Sequence, residues 1–263
     1  SSFWWSNYSL YRRLMLGLGN MMTGGAALSE ILPHVDISDC VLALFADQGV
    51  TTSGSAVTSW ADQAGAFDSA VTAEPAAANN RPTYNTTHLT FDGSDDRLDL
   101  RKDGAAFEIT LDTSDGGWTI VAIVTCDDWD GSQQAFVGDR DSSNSFVRHR
   151  PGANQLQVKA AAENNTIDLD DPSSLTDGQY YCIMVTCASD ASNPAVTLYI
   201  DGVAQSDTED LANNGKDFVL EAIGHRAGTD NVDGNFKHIL AYDRILTSDE
   251  RDLIDQWSAP FKG

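Results

Sequence analysis

The sequence predicts an all-β protein, a sandwich of two antiparallel sheets, on three observations. Of the 39 acidic residues 32 are aspartate, which favours turns and caps, and only 7 are glutamate, which favours helix interiors. Asp-Gly pairs, which supply the positive φ angle of tight β-turns, include those that begin at Asp92, Asp201 and Asp233. Short apolar runs rich in β-branched and aromatic residues recur between turn-forming clusters, as in a sandwich.

Eight of these runs are the predicted strands, in chain order VLALFA, WTIVAIVTC, QAFVG, SFVRHR, QLQVKA, YYCIMVTC, AVTLYIDG and FKHILAYD. The runs 120–126 and 180–187 are apolar at both odd and even positions, which predicts central strands covered on both faces. Side chains alternate along a strand, so Ile120 should share a face with Trp118, and Val121 should point the other way. QLQVKA and FKHILAYD alternate more and should each have one wet face.

One short helix is predicted at the C-terminal end. Thr247 is followed three residues later by Glu250, which forms a capping-box pattern, and Leu253, Ile254 and Trp257 then fall on one helical face. We therefore expect a sandwich domain over residues 39–263, closed by this helix and preceded by an N-terminal arm over residues 1–38.

Four stretches resemble a known family: VTSWADQAGAFDSA with RPTY, LTFDGSDDRLDL, YYCIMVTC with AVTLYIDGVA, and AIGHRAG with DGNFKHILAYDRILTSDERDLI. In this order they resemble laminin G-like and concanavalin A-like jelly-roll domains, of the kind found in bacterial surface proteins and tailed-phage virion proteins. The resemblance implies a jelly-roll sandwich. It leaves function open, because such domains bind glycans, proteins or calcium or serve as packing modules.

Charge and hydropathy exclude two classes of partner. The formal net charge is −23, which makes binding to nucleic acid phosphates or to an anionic membrane surface unfavourable. No stretch approaches 18 uninterrupted apolar residues, so no membrane span is predicted.

The four cysteines are expected to be thiols that pack as small hydrophobes. They show neither a CxxC pair nor the Cys/His spacing of a zinc site, and a core of this size does not need a disulfide. If a disulfide forms, the expected pair is Cys126 with Cys182 or Cys187.

The sequence contains none of the common catalytic motifs. GxSxG, HExxH, GxxxxGK[ST] and a helix-opening GxGxxG are all missing, and the five histidines are scattered. The nearest two glutamates, Glu209 and Glu221, are 12 residues apart, so a jelly-roll glycosidase would have to use aspartates. We expect a protein that is not an enzyme and that requires no cofactor.

The loop sequence CDDWDGSQQAFVGDRDSSN is the most suggestive polar cluster. Asp128, Asp130, Asp139 and Asp141 offer the hard oxygen ligands that calcium prefers, although their spacing is not that of an EF-hand, and solvated turns are the alternative. Trp129, Asp130 and Arg148 form a candidate glycan site, because an exposed indole beside polar groups suits a sugar ring. The alternative for Trp129 is a loop anchor packed against the sandwich.

The first 29 residues contain no acid and many aromatic residues. We predict that this arm docks on another subunit, since aromatic residues and arginine are enriched at interface hot spots. The alternative is that it folds back over its own sandwich. The candidate docking residues are Phe3, Trp4, Trp5, Tyr8, Tyr11, Arg12 and Arg13.

These observations give three hypotheses about function. The first is a structural virion protein of a tailed phage, a capsid decoration or head-fibre component, located in the virion and oligomeric with other virion or surface subunits. The second is a calcium-assisted, lectin-like glycan-binding module that is extracellular or on a cell surface. The third is a jelly-roll glycoside hydrolase.

Overall fold

The structure is a computed structural model that describes residues 31–112, 116–129, 131–142, 144–151, 155–160, 167–170, 175–189, 195–210 and 217–262. Its β-strands are all paired antiparallel. Helix α1 (Pro33–Asp36) is a single turn, and helix α2 (Ser248–Ser258) runs into a 3₁₀ turn at Ala259–Phe261. The predicted docking residues of the arm lie outside the described residues.

The first sheet contains β1 (Cys40–Phe45), β6 (Leu89–Asp92), β10 (Trp118–Cys126), β15 (Tyr181–Cys187), β16 (Ala195–Ile200), β17 (Val203–Asp210) and β20 (Asp233–Tyr242). It is centred on β20, the longest of these strands. One edge of β20 pairs with β10, which continues through β15 and β16 to β17, and the other edge pairs with β1 and β6.

The second sheet is an unbroken series of eight paired strands. In spatial order they are β3 (Ala56–Ala61), β4 (Val71–Glu74), β7 (Leu98–Lys102), β19 (Ala222–Ile223), β11 (Gln134–Gly138), β12 (Phe146–Arg150), β13 (Gln155–Lys159) and β14 (Ile167–Asp170). Short strands complete it, with β2 (Val50–Ser53) on β3 and β8 (Ala105–Ala106) on β7.

Two small elements stand outside these series. Strand β5 (Thr83–Tyr84) pairs with both β3 and β6 and so links the sheets at one edge. Strands β9 (Ile109–Leu111) and β18 (Phe218–Leu220) form a separate ladder. The predicted two-sheet sandwich is confirmed, and each of the eight predicted runs contains a strand.

Two hydrophobic clusters lie on opposite sides of the first sheet. The larger one fills the space between the sheets and contains Trp118, Ile120, Ala122 and Val124 of β10. The smaller one covers the outer face of the first sheet and contains the alternate residues of β10 together with Ile254 of α2. The predicted division of β10 into two faces is therefore correct, and α2 is the element that covers its outer side.

Helix α2 begins as the capping box predicts. The backbone N–H of Glu250 donates to the Thr247 side chain, and a carboxylate oxygen of Glu250 accepts from the Thr247 backbone N–H at 3.0 Å. Both terminal nitrogens of Arg244 also donate to this carboxylate, each at 2.8 Å. These charge-assisted bonds outweigh burial and lower the Glu250 pKa to about 2.

The compact unit begins before the predicted domain boundary. It extends from Leu32 to the C-terminal end, so it includes residues 32–38, which were assigned to the arm. The hydroxyl of Tyr242 donates to the carbonyl of Pro33 at 3.2 Å, and Ile37 is buried in the cluster under α2.

The Asp-Gly pairs that were predicted to form tight turns do not all do so in the structure. Asp201 and Gly202 connect β16 to β17 with φ angles of 51° and 79°, as a two-residue hairpin turn requires. Asp233 and Gly234 instead begin β20, which corrects the expectation of a turn there. A side chain at Gly234 would lie 2.0 Å from the carbonyl oxygen of Thr125, so close approach of β10 requires glycine.

All four cysteines are buried and free. Cys126 and Cys182 belong to clusters on opposite sides of the first sheet. Cys187 is opposite Trp118, eight residues from Cys126 along β10 or about 26 Å at strand spacing. Neither suspected disulfide fits this geometry. Burial raises the pKa of Cys182 and Cys187 to about 12, so these thiols stay protonated.

Candidate functional site

Trp129 is an anchor of the main core. Only 3% of its surface is exposed, and its ring packs edge-on against His149, Phe136 and Tyr181 at centroid distances of 5.0, 6.1 and 6.1 Å. Its backbone N–H donates to the carboxylate of Asp177 at 2.9 Å. The predicted use of an exposed Trp129 as a sugar platform is therefore corrected in favour of the loop anchor. Asp130 lies outside the described residues.

Of the four aspartates proposed for calcium, Asp130 lies outside the described residues, and the other three are not brought together. Asp128 precedes β11 and Asp139 follows it, and a five-residue strand separates its ends by about 17 Å. Asp139 accepts from the backbone N–H groups of Asp141 and Ser142, both at 2.9 Å, whereas the Asp141 carboxylate pairs with Arg140 at 3.0 Å. One ion cannot contact both ends of the strand.

Another acidic group is compact, in the turn after β6. Ligand oxygens of Asp92, Asp95 and Asp96 lie within 4.8 Å of one another. The carboxylate of Asp92 accepts from the backbone N–H groups of Ser94 and Asp95 at 2.9 and 3.2 Å. Burial, with the charge of Asp92, raises the Asp96 pKa to about 6. These bonds account for the arrangement as a turn.

The outer face of the second sheet differs from that of the first. Inward residues of β7, β12 and β13, such as Leu98, Val147 and Leu156, belong to the main core. Because side chains alternate along a strand, their neighbours point outward. We call this outer surface the polar face; its members are Asp99 and Arg101 of β7, Phe146, Arg148 and Arg150 of β12, and Gln155, Gln157 and Lys159 of β13.

A loop is fixed across the polar face by a buried hydrogen bond between His225 and Asp99. His225 accepts at Nδ1 from the backbone N–H of Gly228 at 3.2 Å, which leaves the proton on Nε2. Nε2 then donates to the carboxylate of Asp99 at 3.0 Å, and the two side chains are 1% and 4% exposed. Gly138 lies directly beneath this loop. A Cβ atom added at Gly138 would lie 3.0 Å from the Cβ of Arg226. The loop 225–230 is therefore anchored over the polar face at His225 and Arg226.

At the end of β11 lies a carboxyl cluster, composed of Asp139, Glu221 and Arg140. The two carboxyl groups hydrogen-bond each other, and Arg140 donates to Glu221 from its backbone at 3.1 Å and its guanidinium at 3.0 Å. Burial and the bond to Asp139 raise the Glu221 pKa to about 7. Burial opposes ionisation of Asp139 too, but bonds from Ser142 and Glu221 lower its pKa.

In the middle of the polar face lies an arginine cluster, composed of Arg148, Arg226, Asp230 and Phe146. The guanidinium carbons of Arg148 and Arg226 each lie 4.6 Å from the centroid of the Phe146 ring. Both guanidinium groups donate to one carboxylate oxygen of Asp230, at 2.6 and 2.5 Å.

Two glutamines complete the hydrogen bonds of this cluster. Arg148 donates from Nε to Gln157 at 2.7 Å and from Nη1 to Gln133 at 2.5 Å. Arg148 is thereby held by partners from β13, the loop before β11 and the loop after β19. The result is a preorganised array of planar polar groups on an aromatic ring.

Sequence reasoning identified Arg148 but missed its partners. Arg226, Asp230, His225 and Glu221 come from the segment 221–230, far along the chain from 133–150. In the sequence the stretch AIGHRAG contributes only to the resemblance to a fold. No spacing within either segment indicates that the two meet, because antiparallel pairing of β11 with β19 brings them together.

These features define a jelly-roll sandwich with one outer face under a helix and the other lined by polar side chains. The family model for the concanavalin A-like lectin/glucanase superfamily, of the laminin G type, matches residues 92–250. The chain therefore belongs to this superfamily, and the predicted family is confirmed. No curated protein matches the sequence.

Similar solved structures share the fold at low sequence identity. The Trypanosoma rangeli sialidase in complex with 2,3-difluorosialic acid is 17% identical with a TM-score of 0.58, over 91% of this chain and 35% of that one. The binding domain of botulinum neurotoxin DC in complex with rat synaptotagmin II is 14% identical with a TM-score of 0.52, over 83% of this chain and 51% of that one. The chain thus spans about a third of the sialidase.

These comparisons contradict the first functional hypothesis. The similar structures include a sialidase and toxin domains, among them the receptor-binding domain of botulinum neurotoxin type G. The prediction of a capsid decoration or head-fibre protein is therefore wrong. Among the residues that the structure describes, no helix is both long and apolar enough to cross a membrane.

Proposed function

We propose that the chain is a lectin-like glycan-binding module and that its ligand lies on the polar face. The observation that carries this proposal is the arginine cluster, with Arg148 held by three partners above the Phe146 ring. Sugar hydroxyls both donate and accept hydrogen bonds, so they match fixed guanidinium, amide and carboxylate groups. Membership of a superfamily of lectins and glucanases supports the same conclusion.

Preorganisation is the physical reason to favour binding here. A ligand that contacts flexible side chains must order them, at a cost of about 0.5–1.5 kcal/mol for each one. The Arg148 guanidinium is already fixed by Gln157, Gln133 and Asp230, so little ordering remains. The neighbouring Lys159, Arg150 and Gln155 are partly exposed and border this array.

The carboxyl cluster argues against glycoside hydrolysis. Two catalytic carboxyl groups must flank the glycosidic bond, about 5–5.5 Å apart in retaining enzymes and about 6.5–9.5 Å apart in inverting ones. Asp139 and Glu221 instead hydrogen-bond each other, which leaves no room for a glycosidic oxygen between them. We therefore propose a module that binds without catalysis. Calcium-dependent glycan binding remains a prediction, which the following glycan-array experiment also tests.

The proposal is tested on a glycan array with the full chain and the variant Arg148→Met, which keeps an unbranched apolar stem over Phe146. Arg251→Met is the matched control, because Arg251 lies 4.8 Å from the Tyr199 ring in the first sheet. We expect glycan binding by the parent and the control, with loss in Arg148→Met at an unchanged near-ultraviolet spectrum. Each array is read with calcium and with a chelator.

Absence of any glycan signal from the folded parent chain would contradict the proposal. A protein receptor would then be the competing ligand class, as in the complex of the botulinum neurotoxin DC domain with synaptotagmin II. Equal binding by the parent and Arg148→Met would show that the ligand does not bind on the polar face. Release of reducing sugar from a bound oligosaccharide would favour the hydrolase hypothesis instead.

A further inference from the structure

The carboxylate of Asp230 is only half used by the arginine cluster. Arg148 and Arg226 both donate to its Oδ2 atom, at 2.6 and 2.5 Å. Within the part of the chain that the structure describes, its Oδ1 atom accepts no hydrogen bond and stays in contact with solvent. The backbone carbonyl of Asp230 accepts from the N–H of Ala135 at 2.8 Å, which holds the residue in place. Oδ1 is therefore a fixed acceptor that a ligand on the polar face can reach.

Arg226 is a member of the cluster with unused donors. Its Nε donates to Asp230, whereas its two terminal nitrogens have no hydrogen-bond partner among the described residues and are in contact with solvent. Packing of its guanidinium carbon 4.6 Å from the centroid of the Phe146 ring restrains the group further. Arg148 differs, because its Nε and Nη1 already serve three partners and only 8% of the residue is exposed. Arg148 therefore holds Asp230, and Arg226 presents donors beside it.

The neighbouring carboxylate on this face, that of Asp99, is already engaged. It accepts from Nε2 of His225 at 3.0 Å, and it pairs with Arg101 at 3.9 Å. Its side chain is 4% exposed. Asp99 therefore adds no open acceptor to the one at Asp230.

A hydroxyl group matches the pair of Arg226 and Asp230 better than an oxyanion does. A hydroxyl donates one hydrogen bond and accepts two, so it can donate to Oδ1 of Asp230 while it accepts from Arg226. A carboxylate or sulfate group only accepts, and its charge would lie beside the like charge of Asp230. The two terminal nitrogens of Arg226 belong to one rigid plane, so they suit two acceptors that are themselves held at a fixed spacing.

From this arrangement we infer that the ligand of the polar face is a neutral sugar bound through two adjacent hydroxyl groups, which contact the terminal nitrogens of Arg226 and the Oδ1 atom of Asp230. The inference rests on the proposed glycan-binding function and specifies its substrate class. Hydroxyl groups on neighbouring ring carbons are held at a fixed spacing by the ring, so little further ordering is needed when they bind.

The first test uses the full chain on two copies of one glycan array, one of them treated with periodate and then with borohydride. This treatment cleaves the carbon–carbon bond between adjacent hydroxyl-bearing carbons and leaves alcohols. We expect binding to neutral glycans with adjacent free hydroxyl groups on the untreated copy, and loss of that binding on the treated copy. Laminari-oligosaccharides, whose inner residues have no such pair, should bind on neither copy.

The second test is isothermal titration of variants with the neutral glycan that binds most tightly on the untreated array. Arg226→Lys keeps the positive charge and removes the planar pair of donors, so affinity should fall about tenfold or more. Asp230→Asn removes the charged acceptor at nearly constant size and should weaken binding by a similar factor, and it serves as the second variant should Arg226→Lys unfold. Arg251→Lys, in helix α2, is the matched control and should bind as the parent does.

The outcomes separate the inference from the function on which it rests. Loss of binding after periodate treatment, together with weaker binding by Arg226→Lys or Asp230→Asn, supports the inference. Binding that survives the treatment, binding restricted to acidic glycans, or an affinity that neither variant lowers overturns the inference and leaves glycan binding intact. Binding to no glycan on the untreated copy overturns both.

Discussion

The side chains of Asp139 and Glu221 hydrogen-bond each other at the end of β11. Burial together with this bond raises the pKa of Glu221, whereas bonds from Ser142 and Glu221 lower the pKa of Asp139 in spite of burial. Ionising both carboxyl groups would place two negative charges in contact, which is energetically unfavourable. The pair therefore retains one proton, and Glu221 is the residue that holds it. The stability of the protein should therefore respond to pH through Glu221.

Replacing Glu221 with glutamine should change how stability depends on pH. Burial and the bond to Asp139 raise the folded-state pKa of Glu221 to about 7, from an ordinary value of 4.5. Between these values the folded state binds more protons than the unfolded state, so this group makes stability fall as pH rises. The melting temperature of the parent, relative to Glu221→Gln, should therefore fall between pH 5 and pH 8.

The control for this experiment is Glu108→Gln, at an exposed position. Its melting temperature relative to the parent should stay constant over the same range. Other titrating groups affect parent and variant alike, so they cancel in the difference. A parent-to-variant difference that does not move with pH would show that Glu221 and Asp139 do not share a proton.

Alanine at Gly224 should destabilise the protein much more than alanine at Gly104. Both glycines have left-handed φ angles, +77° and +74°. A side chain at Gly224 would lie 2.4 Å from a ring carbon of Phe91 in the core, whereas one at Gly104 meets nothing within 4 Å. We expect a loss of about 1 kcal/mol for Gly104→Ala and about 2–4 kcal/mol for Gly224→Ala. Urea unfolding midpoints compare them, and equal losses would show that Phe91 does not pack against Gly224.

Trp129 should contribute to stability and not to ligand binding. Its ring is buried against His149, Phe136 and Tyr181, so Trp129→Ala should cost about 3–5 kcal/mol. Trp129→Phe should lower the melting temperature less and leave glycan affinity within about twofold of the parent. A Trp129→Phe protein that melts like the parent but no longer binds glycan would show that the indole is part of the ligand site.

Glu250 should stabilise the protein only while it is ionised. Its bonds to Arg244 and to the start of α2 lower its pKa to about 2, from an ordinary 4.5, so its contribution is complete above 4.5 and is lost as pH falls toward 2. Glu250→Ala should cost about 1–2 kcal/mol at pH 7 and less at pH 3.5. Asp249→Asn, in the same first turn, is the control, and an equal loss at both pH values would contradict the assignment.

Local rules account for the strands and the terminal helix. The runs around Trp118 and Tyr181 have apolar residues at both odd and even positions because both of their faces are covered, and Thr247 with Glu250 forms the cap that their spacing indicates. The turn expected at Asp233 was wrong because tertiary contact overrode local preference: Gly234 is needed where β10 passes close to β20.

Local sequence patterns predicted less of the candidate site than of the fold. The sequence analysis groups Arg148 with Trp129 in one glycan site, yet the two side chains point in different directions, Trp129 into the core and Arg148 onto the polar face. Arg226 and Asp230 reach Arg148 only through the pairing of β11 with β19. A sequence does not contain this pairing as a local pattern, so neither partner was predicted.

The central claim is that the polar face is the ligand face. It is tested most directly by nuclear magnetic resonance of the Arg148 and Arg226 side-chain Nε–H signals during titration with a glycan that the array selects. These two signals should shift in a saturable manner with the same Kd as calorimetry gives, while the Nε–H of Arg251 in helix α2, which covers the first sheet, stays in place. Shifts at Arg251 with none at Arg148 and Arg226 would contradict the account.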